Sequence, residues 1–286
     1  MLPTKETKIK SPIAIKAEES AQRVRWIRQQ PGSNGDIFLS VGQIGDRFIV
    51  RYADIAEFTI DVEQELVAWR PLRRLDRENR ENAIRLGKNQ VIPMLLAMGD
   101  KLVLHASAVI LSGGDCVAFS APSGYGKSTL AETLGIPPHT HYADDWIAID
   151  NTSSFTMAFT YDDGIEAIIA PKKAPLTPAL EVRFALSDLA NHRKPAIPLQ
   201  EIFIVGDPGI AKSIELKSIE AKEKFVSLTK NLFRLDSSAP AQLRKELALT
   251  TELVTQIPIT ALHYPRKRKL LPKLTEQIQA HSHDRR

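Results

Sequence analysis

One octapeptide limits what this chain can become. Ala121-Pro122-Ser123-Gly124-Tyr125-Gly126-Lys127-Ser128 follows the apolar run Cys116 to Ser120 and opens a helical pattern from Lys127 to Leu134. The order strand, glycine-containing loop, Lys-Ser, helix is the phosphate-loop pattern, with Ala121 in place of its first glycine. Each position has a chemical reason. Gly124 and Gly126 let the backbone curl until successive N–H groups point inward at phosphate oxygens. The N-terminus of the following helix adds its partial positive charge. Lys127 can reach the β- and γ-phosphates, and the Ser128 hydroxyl can ligate Mg²⁺. Ser123, Tyr125 and Thr129 complete the expected nucleotide-binding segment. The first glycine position asks only for a small side chain, which alanine supplies.

The rest of the composition excludes several classes. The chain has 286 residues, enough to bury a core without staples. A single cysteine, Cys116, rules out a disulfide framework and any multi-cysteine metal site. The formal net charge is +4. From Tyr264 to Arg286 there are seven basic and two acidic residues, so the excess belongs to one end and the remainder is near neutral. Without a basic stripe or an aromatic-rich binding motif, no nucleic-acid partner is expected. No stretch approaches the ~20 apolar residues of a membrane span. The first twenty residues carry Lys, Pro and Glu without an apolar h-region, so neither a secretory signal nor a membrane anchor is expected, and the cytoplasm is the default location.

Along the chain, residues 1–20 read as a flexible lead-in, 21–90 as a β-rich subdomain with its connector, and 91–286 as the core around the phosphate loop. Asp36 to Val41, Phe48 to Val50 and Phe58 to Val62 read as strands of a small antiparallel unit. Arg70 to Asn82 is highly charged and opens a connector or helix, and Ala83 to Met98 reads as a helix that Pro93 breaks or starts. Leu102 to Leu111 reads as one strand, and His141 to Ile149 as a strand interrupted by two aspartates. Phe155 to Thr160, Leu199 to Val205 and Ile257 to Leu262 are further strand candidates. Helices are expected over 219–232, 239–256 and 270–280.

Two elements beside the loop carry chemistry. Asp144-Asp145 lies sixteen residues beyond Ser128. In a phosphate-loop fold a strand-end aspartate can hold Mg²⁺, and a second carboxylate can take the proton of an attacking hydroxyl. Adjacent like charges raise one of the two pKa values, which suits a base. A solvated turn is the competing reading of the pair. His105 sits between apolar residues in Leu104-His105-Ala106-Ser107-Ala108-Val109; read alone, it is more often a hydrogen-bonded core residue than a catalytic one.

Leu104 to Val109, Ala121 to Ser128 and Ala143-Asp144-Asp145 together resemble the kinase domain of HPr serine kinase/phosphorylase. They are most similar to the stand-alone HPr-kinase-like proteins of peptide-modification systems, some of which phosphorylate a serine of a lasso-peptide precursor. The match covers roughly Leu104 to Asp150. The resemblance implies an α/β phosphate-loop kinase core of the HPr kinase/PEP carboxykinase type, with the β unit at its N-terminus. It implies Asp144 as the catalytic carboxylate that deprotonates the acceptor, Asp145 as its neighbour in metal and phosphate organisation, and His105 near both. Two departures stand out. Thr129 occupies the position where the family usually has Glu, and the separate N-terminal domain of the full-length enzyme is not recognisable. A later phosphate-contacting Arg has no certain counterpart; Arg193, Lys194 and the Lys172-Lys173 pair are candidates beside the reading of solvated loop charges.

The resulting expectation is an ATP- and Mg²⁺-dependent kinase acting on a serine hydroxyl of a peptide or protein, with self-association into a homo-oligomer left open. The Pro171 to Pro178 segment and the basic Arg266–Lys269 run are candidates to border a peptide groove, the latter beside the reading of a solvated helix start. Two rivals remain: a kinase/phosphorylase of a carrier protein such as HPr, and a nucleotide-binding regulatory module that transfers nothing.

Overall fold

The structure is a computed structural model and describes residues 24–32, 34–151, 156–170 and 175–283. Residues 1–20, Phe155, the Lys172-Lys173 pair, and Arg285 and Arg286 of the basic end lie outside the described residues.

The N-terminal part of the chain builds an antiparallel sheet. Strands β1 (Arg25–Pro31), β2 (Ile37–Ile44), β3 (Arg47–Tyr52), β4 (Ala56–Asp61) and β5 (Leu66–Pro71) pair in chain order. One face buries Val50, Phe58, Ile60 and Trp69. The opposite face carries a charged ladder. Glu57 stands across from Arg51 on β3 and Arg70 on β5, and accepts hydrogen bonds from them at 2.8 and 3.0 Å.

The apolar face packs on one long helical rod. Helix α1 (Arg77–Leu86) starts at an Asp76 cap that accepts from the Asn79 N–H. It runs through a π turn, Gly87–Val91, into α2 (Ile92–Met98). The sequence places a break or a start at Pro93; α2 does start there, with Pro93 in its first turn, while the rod continues through it. Proline lacks the N–H that an α-helix would direct at the carbonyl of Asn89. The π turn changes the ladder just before it, with the Ile92 N–H on the Gly87 carbonyl.

The second sheet is mixed and carries the phosphate loop. Its strands are β6 (Leu102–Leu104), β7 (Ala106–Ile110), β8 (Cys116–Ser120), β9 (Thr140–Ala143), β10 (Ile147–Asn151), β11 (Thr156–Phe159), β13 (Ile197–Val205), β14 (Glu215–Ser218) and β15 (Ile259–His263). Strand β12 (Val182–Ala185) crosses back to pair with β5, so the first sheet is completed by a distant part of the chain. The order in the second sheet is β6-β10-β11-β13-β8-β7-β9, with β15 on β13 and β14 on β15. Strands β8, β13 and β15 are parallel, and β9 runs the same way because both β8 and β9 are antiparallel to β7. Four strands therefore end at one edge, at Ser120, Ala143, Val205 and His263.

Alternation along the strands splits the side chains between two faces. Cys116, Ala118 and Ile202 join a cluster with Leu228 of α5 (Ala221–Thr229) and Leu253 of α6 (Pro240–Gln256). Val117, Phe119 and Phe203 join one with Leu130 of α3 (Lys127–Leu134) and Ile278 of α7 (Leu271–His283). The single cysteine is thus a core side chain, and burial pushes its thiol up to about 12.

The Glu57 ladder predicts an acid limb in stability. Burial, the largest single influence, pushes its carboxyl up; the hydrogen bonds and charges of Arg51 and Arg70 together outweigh it and hold the group below the usual carboxylate range. The stabilisation is then complete above the unfolded value of about 4.3 and is lost as pH falls through the folded one. Glu57→Gln is expected to cost about 1–2 kcal/mol at pH 7 in denaturant unfolding, with the difference from wild type shrinking below about pH 4.

Candidate active site

The site forms where a strand pair opens. Leu104 pairs with Ile147 and Ala108 with Ala143 in one continuous antiparallel register. Between these pairs, residues 105–107 face residues 144–146 and the ladder is interrupted. The sequence reading of two long strands, one interrupted by aspartates, thus holds with a refinement. His105 lies at a break between β6 and β7 rather than within a strand, and Asp144-Asp145 forms the matching break between β9 and β10.

The register explains the first contact. Ser107 stands opposite Asp144, and its buried hydroxyl donates to Asp144 Oδ1 at 2.6 Å. The Asp145 N–H donates to the same oxygen at 3.1 Å. Asp144 Oδ2 makes no hydrogen bond to the described residues, and the side chain is exposed. One oxygen is held while the other faces outward.

Asp145 is held differently. It adopts φ 66°, a left-handed conformation uncommon outside glycine but tolerated by Asp and Asn. The amide of Asn89, inside the π turn, donates to its Oδ2 at 2.6 Å. The next residue locks the bend: Trp146 is buried against the first sheet's core, and its indole donates to the Lys88 carbonyl at 3.2 Å. Burial first, and the Asp144 charge second, raise the Asp145 carboxyl above its ordinary value against the pull of Lys88, Lys127 and Arg85.

The phosphate loop leaves β8 one strand away from β7. Ala121 is fully buried, consistent with a position that demands a small residue. Gly124 and Gly126 take φ 84° and 93°. At Gly126 a side chain is doubly excluded, since a Cβ would also lie 2.6 Å from the Tyr264 hydroxyl at the end of β15. Helix α3 begins at Lys127, as the sequence pattern predicts, and its first N–H groups have no partner within the helix. Ser123 and Thr129 are exposed; Tyr125 and Ser128 are half-buried. Lys127 is buried and donates to the Pro122 carbonyl at 3.1 Å. Burial lowers its pKa, and Asp145 and Asp144 pull it back up.

His105 belongs to the same electrostatic group. Burial, then the Lys127 charge, depress its pKa to about 4, and Asp144 only partly opposes them. The imidazole is neutral at physiological pH, so it can accept or donate a hydrogen bond but supplies no cation. His105, Lys127, Asp144 and Asp145 are thereby brought together.

Arg193 and Lys194 are engaged elsewhere. The Arg193 guanidinium lies 3.7 Å from the centroid of the Phe159 ring, and Lys194 donates to the Tyr142 carbonyl at 2.6 Å. Arg266 to Lys269 are exposed and lead through a 3₁₀ turn into α7. Sequence reasoning did not single out Ser107, Asn89 or Tyr264. Ser107 carried a signal, since it is a polar residue two positions from His105 in the otherwise apolar Leu104–Val109 run. Asn89 carried none, because a π turn has no sequence signature.

Two predictions follow from strain and burial. Gly126→Ala is expected to lower stability by about 1–2 kcal/mol from its dihedral alone; adding Tyr264→Phe removes the hydroxyl clash but not that cost, so thermal melts of the double variant stay below wild type. For Asp145, the folded pKa lies above the unfolded one. Ionisation therefore opposes folding, and stability drops as pH rises through that window. Asp145→Asn removes the charge and suits the left-handed conformation. It is expected to melt above wild type at pH 7, with the gap narrowing toward pH 3.

No protein-family model and no curated protein matches the chain. Among solved structures, the HPr(Ser) kinase/phosphatase from Coxiella burnetii aligns over 63% of this chain and 89% of that one, at a TM-score of 0.31 and 11% identity. The chain is a mixed α/β protein with an N-terminal antiparallel sheet and a second, mixed sheet whose parallel strands end at the Ala121–Ser128 loop and the aspartate pair.

Proposed function

We propose that the protein is an ATP- and Mg²⁺-dependent kinase of the HPr-kinase-like type that phosphorylates a serine hydroxyl on a peptide or protein. The observation that carries the reading is the opened strand pair. It sets an exposed carboxylate, Asp144, beside a buried lysine at the head of a phosphate loop. A regulatory nucleotide site has use for Gly126, Lys127 and Ser128 but none for a carboxylate with one oxygen tied to a buried serine and the other left outward.

In this reading the loop N–H groups and the start of α3 hold the triphosphate. Lys127 leaves the Pro122 carbonyl for the β- and γ-phosphates, where desolvation has already strengthened its electrostatic effect. Mg²⁺ suits the oxygen donors at hand, the Ser128 hydroxyl and the Asp145 carboxylate, since it takes one or two protein oxygens and completes its shell with phosphate and water. When bound, the ion neutralises charge on the phosphates. Ser107 and the Asp145 N–H fix Asp144 so that Oδ2 meets the acceptor. The acceptor oxygen bonds to the γ-phosphorus, its proton passes to Asp144 Oδ2, and the bond from that phosphorus to the β–γ bridging oxygen breaks, releasing ADP. Neutral His105 offers a hydrogen bond near the transferring group without competing with it as a charge. Arg193 and Lys194 remain candidates for a phosphate contact only if their present partners are released.

The test is incubation with Mg-ATP and a panel of serine-containing peptides, read as a phosphate mass shift. Lys127→Ala and Asp144→Asn are each expected to reduce transfer by about 10²-fold or more, with Asp144→Asn still binding nucleotide. ATP binding with no transfer to any peptide or carrier protein, and a biological output that survives Asp144→Asn but not Lys127→Ala, would replace the kinase with the regulatory module.

A further inference from the structure

A cleft adjoins the site. It is an open cleft of about 260 Å³. His105 and Pro122 line it, so it borders the candidate active site. Gln90 and Met94 of the helical rod form one wall. Arg28 on β1 and the Lys230–Arg234 segment after α5 form the others.

The charge of this cleft is one-sided. Arg28, Lys230 and Arg234 line it, and no Asp or Glu does. Arg234 is committed to Glu246, donating from Nε at 2.6 Å. Lys230 is exposed. Arg28 differs from both. Its Nε is buried and has no hydrogen-bond partner among the described residues, and the hydroxyl of its neighbour Tyr52 is likewise unpartnered. Burial, the largest influence, lowers the Arg28 pKa, so the protein bears a cost to keep this cation there. Arg28 lines the cleft, and a guanidinium there offers planar N–H donors that suit a carboxylate or phosphate. His105 is neutral and adds no competing demand for that anion.

We propose that this cleft is the acceptor's seat and that the acceptor carries an anionic group, a carboxylate or phosphate, which Arg28 binds while its hydroxyl reaches Asp144. The assignment of the hydroxyl rests on the kinase reading above; the anion site does not. Arg28 is a binding residue for the acceptor, Lys230 adds longer-range attraction, and both lie outside the nucleotide loop.

The test separates the two ideas. Calorimetry is run on the full chain, with and without Mg-ADP, using N-acetylserine as the carboxylate probe, glycerol phosphate as the phosphate probe and N-acetylserinamide as the neutral control. At least one anionic probe is expected to bind, and more tightly than the amide; which one does identifies the anion. Arg28→Gln is expected to weaken that binding by about tenfold or more, and Arg28→Lys to retain part of it. Lys230→Gln, at an exposed position that cannot disturb folding, gives a smaller loss in the same direction. Thermal melts confirm that Arg28→Gln is folded. Equal binding of the amide and the anions, unchanged binding in Arg28→Gln, or no binding of any probe overturns the proposal. Arg28-dependent anion binding without phosphoryl transfer to any hydroxyl would sink the kinase reading and leave the anion site standing.

Discussion

The site depends on an antiparallel ladder that is interrupted and yet keeps its register. The pairs on either side of the gap, Leu104 with Ile147 and Ala108 with Ala143, hold two strands in line. The gap leaves backbone and side chains of residues 105–107 and 144–146 to find other partners. They do so locally, through Ser107 on Asp144, and distantly, through Trp146 on the Lys88 carbonyl, Asn89 on Asp145 and the His105 N–H on the Asn231 carbonyl at 2.8 Å. An uninterrupted ladder would satisfy the same backbone groups and place no exposed carboxylate beside the phosphate loop. The interruption gives up ladder pairing over residues 105–107 and 144–146 and sets the aspartates free of it.

Three parts of the chain secure that arrangement. The parallel strands β8, β13 and β15 form the fixed floor and deliver the loop. The helical rod brings its π turn to the aspartates, in keeping with the association of such turns with functional sites. The first sheet buries Trp146 and so anchors the bend from behind. Electrostatics then sorts two adjacent carboxylates into different environments. Asp145 is half-buried and raised; Asp144 is exposed, with one oxygen outward.

Much of the fold was legible. The loop and α3 follow from residue type and spacing alone. The β-rich start, the long C-terminal helices and the strand preceding Gly206 follow from period and turn residues. What escaped has identifiable causes. Strands β1 and β5 have mixed polarity because they carry charge on one face, as in the Glu57 ladder. Strand β12 is short and is defined by pairing with β5 across a long intervening stretch of chain. Pro93 pointed to a break or a start; it marks the start of α2, and the π turn before it, which no residue pattern announces, keeps the rod continuous.

By itself the sequence determined the chemistry at hand: a glycine-turned loop with a lysine at a helix head, two adjacent acids and a histidine on a β-like run. These are local properties, set by dihedral preference and side-chain type. Only the tertiary structure decided that Asp145 is raised, that the histidine is neutral, and that Arg28 and His105 line one cleft. Those outcomes depend on burial and on distances between residues far apart in the chain, and no local rule of composition or periodicity encodes either.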